Sequence, residues 1–449
     1  MDFTATSRNR LIGVAALLLL PAAQAMTLSE ALQLSVTHDP TVPGSLALYE
    51  ADREAAAADR ARRRPSLSVE GAAAYAQTES TGVFGTAKDG YTTWDASVRA
   101  RQPLFRLDWF ALGDRADARD RYADESLNAR KLMLLRRVAE RYFAVMLGQD
   151  ELAQAEAEEK AVRESLDDTQ KRYDVELVAG TDLKEARARH DLAQAQLFAS
   201  RRALENAYDT LEETTGRRRE VLPKLSPDVG FPPLTPADAE AWVAAAREHS
   251  PDIILAREAA IVAKANATTA AADTLPVLDL VASAGRNDNS EYRFGQKVDD
   301  ARVGVQLSIP LYAGGAYAAR RSAADAQARG AEADLQRIVR ETERTTRQLY
   351  GDVETRYYEA QAYKLALESA EAAETATRHG YDAGTRTITD VLDAKSRAVQ
   401  ARRNLNRTRY NLLLNLLQLK QIVGSLSEQD FAEIDAVLAE SHKPTEATQ

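Results

Sequence analysis

Two stretches of the chain are versions of one segment: residues 172–191 read RYDVELVAGTDLKEARARHD, and residues 379–397 read HGYDAGTRTITDVLDAKSR. With Tyr173 placed on Tyr381, one fixed offset also brings Asp182 onto Asp390. Each stretch is a short irregular piece that follows one long helical pattern and precedes another. The sequence therefore predicts one helical hairpin that is used twice, with a short turn at each tip.

Charged side chains are concentrated in the two predicted turns. Asp182 lies in the first turn, and Arg386, Asp390 and Asp393 lie in the second. Asp390 and Asp393 are three positions apart on a helix, so both can face the same side. If several copies of the turn surrounded an axis, these carboxylates would form rings and Arg386 could bridge neighbouring copies.

The duplication extends along the whole chain. ALQLSVTHDP at residues 31–40 matches WVAAAREHSP at residues 242–251, with histidine and proline at the same places. Such self-similarity indicates two copies of one structural unit. We divide the chain into repeat one (residues 26–216), a linker with five prolines (217–237), repeat two (238–431) and a C-terminal tail (432–449).

The first 25 residues predict a secretory signal peptide. Arg8 and Arg10 precede a short apolar run, and Ala23 and Ala25 provide the small residues that signal peptidase accepts. The chain has no cysteine, which excludes disulfides and an acylated N-terminal cysteine. The net charge of −10 is spread along the helical patterns, so we expect no nucleic-acid partner.

Four short segments alternate apolar and polar residues, which predicts strands with one apolar face. They are residues 66–77, 92–103, 277–287 and 300–311. About ten residues suffice for a tilted strand to cross a bilayer, but a sheet in lipid tolerates no free edge. Because the smallest closed barrels need about eight strands, we expect several copies to share one β-barrel. Three copies would give about twelve strands, although this pattern does not fix the number.

Residues 107–173 and 316–379 lack proline and have apolar residues at helical spacing. Each predicts a helix of roughly 100 Å at ~1.5 Å per residue. Many of the apolar residues are small and the opposite face is charged, so we expect packing in a coiled-coil wall. Residues 181–215 and 389–424 are predicted to return along these helices as second arms of the hairpins. The predicted fold is therefore mainly α, with a membrane β-barrel portion.

The chain resembles the TolC family of outer-membrane efflux proteins. The resemblance is carried by RYDVELVAGTD at 172–182, YDAGTRTITDVLDA at 381–394, RYNLLLN at 409–415 and GSLSEQD at 424–430. It implies a homotrimer with a shared twelve-stranded β-barrel in outer-membrane lipid, continued by an α-helical barrel across the periplasm. It also implies a passive exit duct for type I protein secretion or multidrug efflux. The expected partners are a periplasmic adaptor and an inner-membrane transporter, either ABC-type or proton-driven.

The same resemblance assigns roles to residues in the turns. Asp390 and Asp393 are similar to the two aspartates whose rings line the constricted entrance, where multivalent cations would block the channel. Thr181 and Asp182 resemble the groups that Tyr381 and Arg386 hold to keep the entrance closed. The alternative for each of these residues is an ordinary solvent-exposed position on a helix surface, with no role at the entrance.

Two positions depart from the pattern of the family. Glu176 stands where the family usually has glycine, and Gly180 stands where it usually has a larger apolar residue. These two departures leave open whether the first turn has the shape of the second.

No catalytic motif is present in the sequence. The five histidines lack metal-ligand spacing, and neither a phosphate-binding glycine loop nor a nucleophile elbow occurs. We therefore expect no enzyme activity, no cofactor and no dedicated metal site. The rival hypothesis from another class is a soluble periplasmic coiled-coil adaptor or scaffold, which shares the signal peptide and the long helices. Four bilayer-length strands argue against it.

Overall fold

The computed structural model describes residues 25–83, 85–218, 222–225, 234–290 and 295–440. Both repeats have the same element order: a short helix, a second helix, two strands, a very long helix and a return helix. Repeat one contains α1 (Leu28–His38), α2 (Thr41–Ala61), β1 (Ser66–Gly82), β2 (Gly85–Phe105), α3 (Trp109–Asp174) and α4 (Gly180–Thr215). Repeat two contains α5 (Ala239–His249), α6 (Pro251–Ala272), β3 (Val277–Asp288), β4 (Lys297–Ser308), α7 (Ala316–Asp382) and α8 (Ile388–Ile422), and α9 (Glu428–Glu440) follows.

The four strands form one antiparallel sheet in the order β1-β2-β3-β4. Its register brings the predicted apolar positions into continuous rows: Val69 pairs with Val98, Val98 with Ala284, and Ala284 with Ala301. Because side chains alternate between faces, this register gives the middle of the sheet one apolar face, and charged pairs such as Glu79 with Lys88 lie on the same face nearer the hairpin ends. The pairing of β2 with β3 joins the two repeats, and β1 and β4 are the edges of the sheet.

The first hairpin is longer than the sequence predicted. Residues 80–90, interpreted as a loop, continue β1 and β2 as far as Gly82 and Gly85. The extension is stabilised across the strands, where the Thr81 and Thr86 hydroxyls lie 3.0 Å apart. In the second hairpin, β4 ends at Ser308 and does not reach residue 311. Pro310 follows two residues later, and a proline has no N–H for a strand ladder.

A side-chain cluster also joins the repeats next to the sheet. The Arg115 guanidinium of α3 donates to Asp59 Oδ2 of α2 at 2.8 Å and to Asn266 Oδ1 of α6 at 3.0 Å. Arg115 and Asp59 are both buried, so each charge is compensated where water is excluded. α2, α3 and α6 are thereby fixed together at the base of the strands.

The long helices α3 and α7 have 66 and 67 residues, close to the predicted bounds. The main core lies midway along α3, where Val138, Tyr142 and Phe143 are almost completely buried against α1, α8 and α9. The Tyr142 hydroxyl donates to the Met26 carbonyl at 2.8 Å. None of the helices in the described ranges is both long enough and apolar enough to cross a membrane.

The C-terminal region contains a helix that the sequence reading placed in a tail. α9 extends to Glu440 and buries Phe431, Ile434 and Leu438 in the core. Asp435 of α9 accepts hydrogen bonds from the backbone N–H groups of Leu28, at 2.7 Å, and Ser29, at 2.9 Å. These N–H groups have no partner within α1, so a side chain distant in sequence caps that helix.

Parts of other predicted segments lie outside the described residues. These are positions 1–24 of the predicted signal peptide, 219–221 and 226–233 of the linker, and 441–449 of the tail. Within the linker, Leu222 and Leu225 are buried in the main core. The linker is therefore partly packed and does not only span between the repeats.

Candidate functional site at the two helical turns

The turns between α3 and α4 and between α7 and α8 share two backbone hydrogen bonds. In the first, Glu176 N–H donates to Tyr173 O at 2.9 Å, and Leu177 N–H donates to Arg172 O at 2.8 Å. In the second, at the equivalent positions, Gly384 donates to Tyr381 at 2.9 Å, and Thr385 donates to Gly380 at 2.8 Å. These bonds satisfy carbonyls that have no partner at a helix C-terminus. The predicted duplication of the turn is thus visible in its backbone, and the second turn has a further bond from Arg386 N–H to Gly380 O at 3.2 Å.

Each turn contains one residue in the left-handed conformation, and this residue shows whether the first turn has the shape of the second. Glu176 has φ 60° and Gly384 has φ 76°, so both turns reverse direction at the same place. Glycine takes this conformation without steric cost, whereas a residue with a Cβ is disfavoured there by about 1–2 kcal/mol. The first turn therefore has the shape of the second in spite of its glutamate. At Gly180, an added Cβ would lie 3.5 Å from the Tyr173 ring, an ordinary contact distance.

Asp390 is fixed by the N-terminus of α8. Its Oδ2 accepts hydrogen bonds from Thr387 N–H and Thr387 Oγ1, both at 2.9 Å, and its own N–H donates to Thr387 Oγ1 at 3.2 Å. This reciprocal arrangement is a capping box. The hydrogen bond from Thr387 N–H, then that from the Thr387 hydroxyl, lowers the pKa of Asp390 from its ordinary value. The carboxylate is thus held in its charged form.

The repeat-related carboxylate, Asp182, has a different environment. The cap position of α4 is Ala179, which has no side-chain oxygen, so α4 has no capping box. Thr181 Oγ1 lies 3.4 Å from Asp182 Oδ1. Asp182 is therefore less constrained than Asp390, although the two occupy equivalent positions.

Asp393 is held from the other hairpin. Arg189 of α4 donates from Nη1 to Asp393 Oδ1 at 2.8 Å and from Nη2 to Glu185 Oε1 at 2.9 Å. The Asp393 side chain is 56% exposed and that of Arg189 is 32% exposed. The hydrogen bond to Asp393 is the main cause of a raised pKa of Arg189. One guanidinium thus spans a carboxylate of its own helix and one on α8.

Tyr381 also contacts the other hairpin. Its hydroxyl accepts a hydrogen bond from Arg172 Nη2 at 2.7 Å and lies 3.5 Å from Asp168 Oδ2. Arg172 and Asp168 form an ion pair of 2.9 Å one turn apart on α3. The end of α7 is thereby tied to the end of α3.

Three of the four predicted gating residues line one cleft between the hairpins, and Thr181 is not among the residues that line it. Asp182, Tyr381 and Arg386 line it, together with Arg172 and Arg189. Within this chain and its described residues, no hydrogen bond or ion pair joins Tyr381 or Arg386 to Thr181 or Asp182. Arg386 instead packs over Gly380, where an added Cβ would lie 2.8 Å from its Cγ.

Sequence reasoning missed four residues of this site: Asp168, Arg172, Arg189 and Thr387. Three of them had a local signal. Thr387 and Asp390 have the capping-box spacing, and Asp168 and Arg172 have the i,i+4 spacing of a helical ion pair. Arg189 has the same spacing to Glu185, but no local pattern indicates its contact with Asp393, which is distant in sequence on α8.

Paired helical hairpins that extend from a four-stranded sheet define this chain as a subunit of an outer-membrane channel. The family model described as outer membrane efflux protein matches residues 31–217 and 242–425. The chain belongs to that family.

Individual relatives agree with the assignment. The outer membrane protein TolC of Vibrio cholerae is 34% identical over 353 residues, 78% of this chain and 80% of TolC. The alkaline protease secretion protein AprF of Pseudomonas aeruginosa is 30% identical over 442 residues, 97% of this chain and 92% of AprF. The crystal structure of the Campylobacter jejuni CmeC outer membrane channel superimposes with a TM-score of 0.74, at 15% identity and 98% coverage of both chains.

These comparisons confirm the predicted fold class and the predicted location in the outer membrane. TolC-family proteins are trimeric outer-membrane channels that work with secretion or efflux machinery, and the relatives of this chain are transport channels. The chain is therefore an exit duct of the outer membrane, and the soluble adaptor is not favoured.

Proposed function

We propose that this chain is the outer-membrane subunit of a passive type I secretion duct, with the two turns forming its periplasmic entrance. The open four-stranded sheet carries the proposal. Edge strands β1 and β4 each have a neighbour on one side only, and unpaired backbone groups are costly in lipid. Three copies supply about twelve strands, enough to close a barrel without edges.

A secreted protein is the passenger that we propose. The similarity to AprF, whose name refers to alkaline protease secretion, extends over almost the whole length of both chains. Small-molecule efflux through the same duct is compatible with this proposal, since the transporter that docks would select the cargo. An inner-membrane transporter and a periplasmic adaptor supply the energy and the docking contact, and the duct itself performs no chemical step.

The entrance is proposed to be constricted by rings of Asp390 and Asp393, one of each from every copy. The two residues are three positions apart at the start of α8, so they form adjacent layers. Rings of carboxylates favour cations and attract multivalent ones most strongly. We expect multivalent cations to block the channel there, without a dedicated metal site.

The closed state is proposed to depend on contacts between the hairpins. Arg386 and Asp182 line one cleft, so a small movement of either turn, or approach of a neighbouring copy, would join them. Arg172 already links the α3 end to Tyr381 of α7. Each exposed link contributes only about 0–1 kcal/mol, so a docking adaptor can separate several of them.

The test combines cell fractionation with reconstitution of the full chain. The proposal expects recovery in the outer-membrane fraction, a cross-linked trimer in detergent, and discrete ion-conducting steps in planar bilayers. If deletion of a neighbouring transporter gene stops export of a protein, that transporter is identified as the one that works with the duct. Recovery as a soluble periplasmic monomer that does not conduct would refute the proposal.

A further inference from the structure

We infer that Arg189 masks the Asp393 carboxylate in the resting entrance and thereby sets how strongly the entrance attracts cations. This inference rests on the proposed function, in which Asp390 and Asp393 line the entrance. It assigns a specificity-determining role to a residue of the opposite hairpin that lies outside the predicted ring.

The contacts distinguish the two carboxylates of the entrance. Asp390 accepts its hydrogen bonds from Thr387, a neutral residue of its own turn. Asp393 accepts from a cation, the Arg189 guanidinium, at 2.8 Å. Asp390 is therefore hydrogen-bonded by a neutral residue and meets the positive charge of Arg386 only through space, whereas Asp393 is in direct contact with a cation.

The guanidinium is well placed to stay on Asp393. Arg189 is anchored on its own helix through Glu185, one turn away at 2.9 Å, which holds the side chain across the gap between α4 and α8. Its side chain is about two-thirds covered. A planar guanidinium that reaches two carboxylates loses less freedom for each bond than a flexible ammonium does.

The bridge also joins the two hairpins, because Arg189 belongs to α4 and Asp393 to α8. Any movement that separates α8 from α4 must break it. Opening then exposes one additional carboxylate in each copy, so the entrance becomes more negative as it widens. Arg189, through its contact with Asp393, thus controls the charge that a passenger or an ion meets at the entrance.

Arg187 provides a matched control on the same helix. Its Nη2 donates to Gln170 Oε1 at 2.9 Å, and Gln170 belongs to α3 of the same hairpin. Replacing Arg187 removes an equal charge two residues away without touching Asp393. A general effect of lost positive charge would appear in both variants.

The experiment measures block of single-channel current by La³⁺ in planar bilayers, using the purified full chain. Arg189→Gln should lower the half-blocking La³⁺ concentration by about five- to tenfold, since unmasked carboxylates attract a trivalent ion at a wet entrance. Arg187→Gln should leave that concentration within about twofold of wild type, because a more distant surface charge is screened. Arg189→Lys, which keeps the charge, should remain close to wild type.

A double variant separates masking from a structural effect. In an Asp393→Asn background there is no carboxylate to unmask, so Arg189→Gln should change the block by less than about twofold. An equal effect of Arg189→Gln in both backgrounds would overturn the inference, as would an Arg189→Lys variant that behaves like Arg189→Gln.

Failure of the inference and failure of the proposed function give different results. If wild-type channels are blocked through Asp390 and Asp393 but Arg189→Gln leaves the block unchanged, only the inference fails. If block does not depend on Asp390 and Asp393, the proposed entrance fails and the inference with it.

Discussion

Glu176 and Gly384 occupy equivalent places in the two turns and share one left-handed backbone conformation, with φ 60° and 76°. The same pair of backbone hydrogen bonds closes each turn around them. Because only Gly384 lacks a Cβ, the first turn contains strain that the second does not. The tip of the α3–α4 hairpin is therefore intrinsically less stable than the tip of the α7–α8 hairpin.

Glu176→Gly should stabilise the first turn. Relief of left-handed strain, less the extra chain entropy of glycine, gives a net gain of roughly 0.5–1 kcal/mol. Hydrogen exchange should therefore slow several-fold in a peptide covering residues 172–183, and Gly384→Glu should accelerate exchange at the second turn. Glu176→Ala is the control, since it removes the charge and retains the strain. Faster exchange in Glu176→Gly would show that the turn is not strained.

Thr387→Ala should move the charge loss of Asp390 to higher pH. Hydrogen bonds from Thr387 N–H and its hydroxyl favour the carboxylate and lower the pKa of Asp390, so wild type keeps this charge as the pH falls below the ordinary carboxyl range. The variant loses the hydroxyl bond but keeps the bond from the backbone, so the pKa rises part of the way.

Cation selectivity against pH, measured in an Asp393→Asn background, reports this shift. Thr389→Ala, two residues along the same turn, should have the wild-type profile. Identical profiles for Thr387→Ala and Thr389→Ala would remove the capping box as the cause.

Tyr381→Phe should increase the time that the entrance spends open. The change deletes the hydroxyl that accepts from Arg172 at 2.7 Å, so one tie between α7 and α3 is lost. We expect a higher mean single-channel conductance, and a larger increase when Arg386→Ser is added. Tyr173→Phe alters the repeat-related tyrosine and should leave conductance unchanged. Equal conductance in all of these variants would show that the contacts of Tyr381 and Arg386 do not keep the entrance closed.

Asp435→Ala should destabilise the contact between α1 and α9. Its carboxylate caps α1 through Leu28 and Ser29 N–H, and loss of a helix cap costs about 1 kcal/mol. Thermal unfolding of the detergent-solubilised protein should shift to lower temperature. Glu433→Ala, an exposed position on the same helix, is the control. A shift of the same size in both variants would contradict the capping role.

The sequence was sufficient for elements whose pattern is local. The offset between Tyr173 and Tyr381 predicted the duplicated turn, and alternation predicted all four strands. Elements were predicted least well where their packing partners are distant in sequence. The predicted boundary at residue 431 divided α9 between repeat two and the tail, because the main core that buries Phe431 and Ile434 comes from elements distant in sequence.

In the candidate site, too, local features were predicted and contacts between distant residues were not. The charged residues of the turns were predicted, but their partners depend on how the ends of four helices meet. Arg189 of α4 reaches Asp393 of α8 with its long side chain, across the space between the two hairpins. The hydrogen bond from Arg172 to Tyr381 depends in the same way on the meeting of α3 and α7. Spacing along one helix contains no information about either contact.

La³⁺ block of wild type compared with the Asp390→Ala, Asp393→Ala double variant shows whether these two carboxylates line the entrance. If they do, wild-type current through reconstituted trimers is blocked, and the double variant conducts at the same La³⁺ concentration. Equal block of both channels would place the constriction elsewhere and exclude Asp390 and Asp393 as the entrance ring.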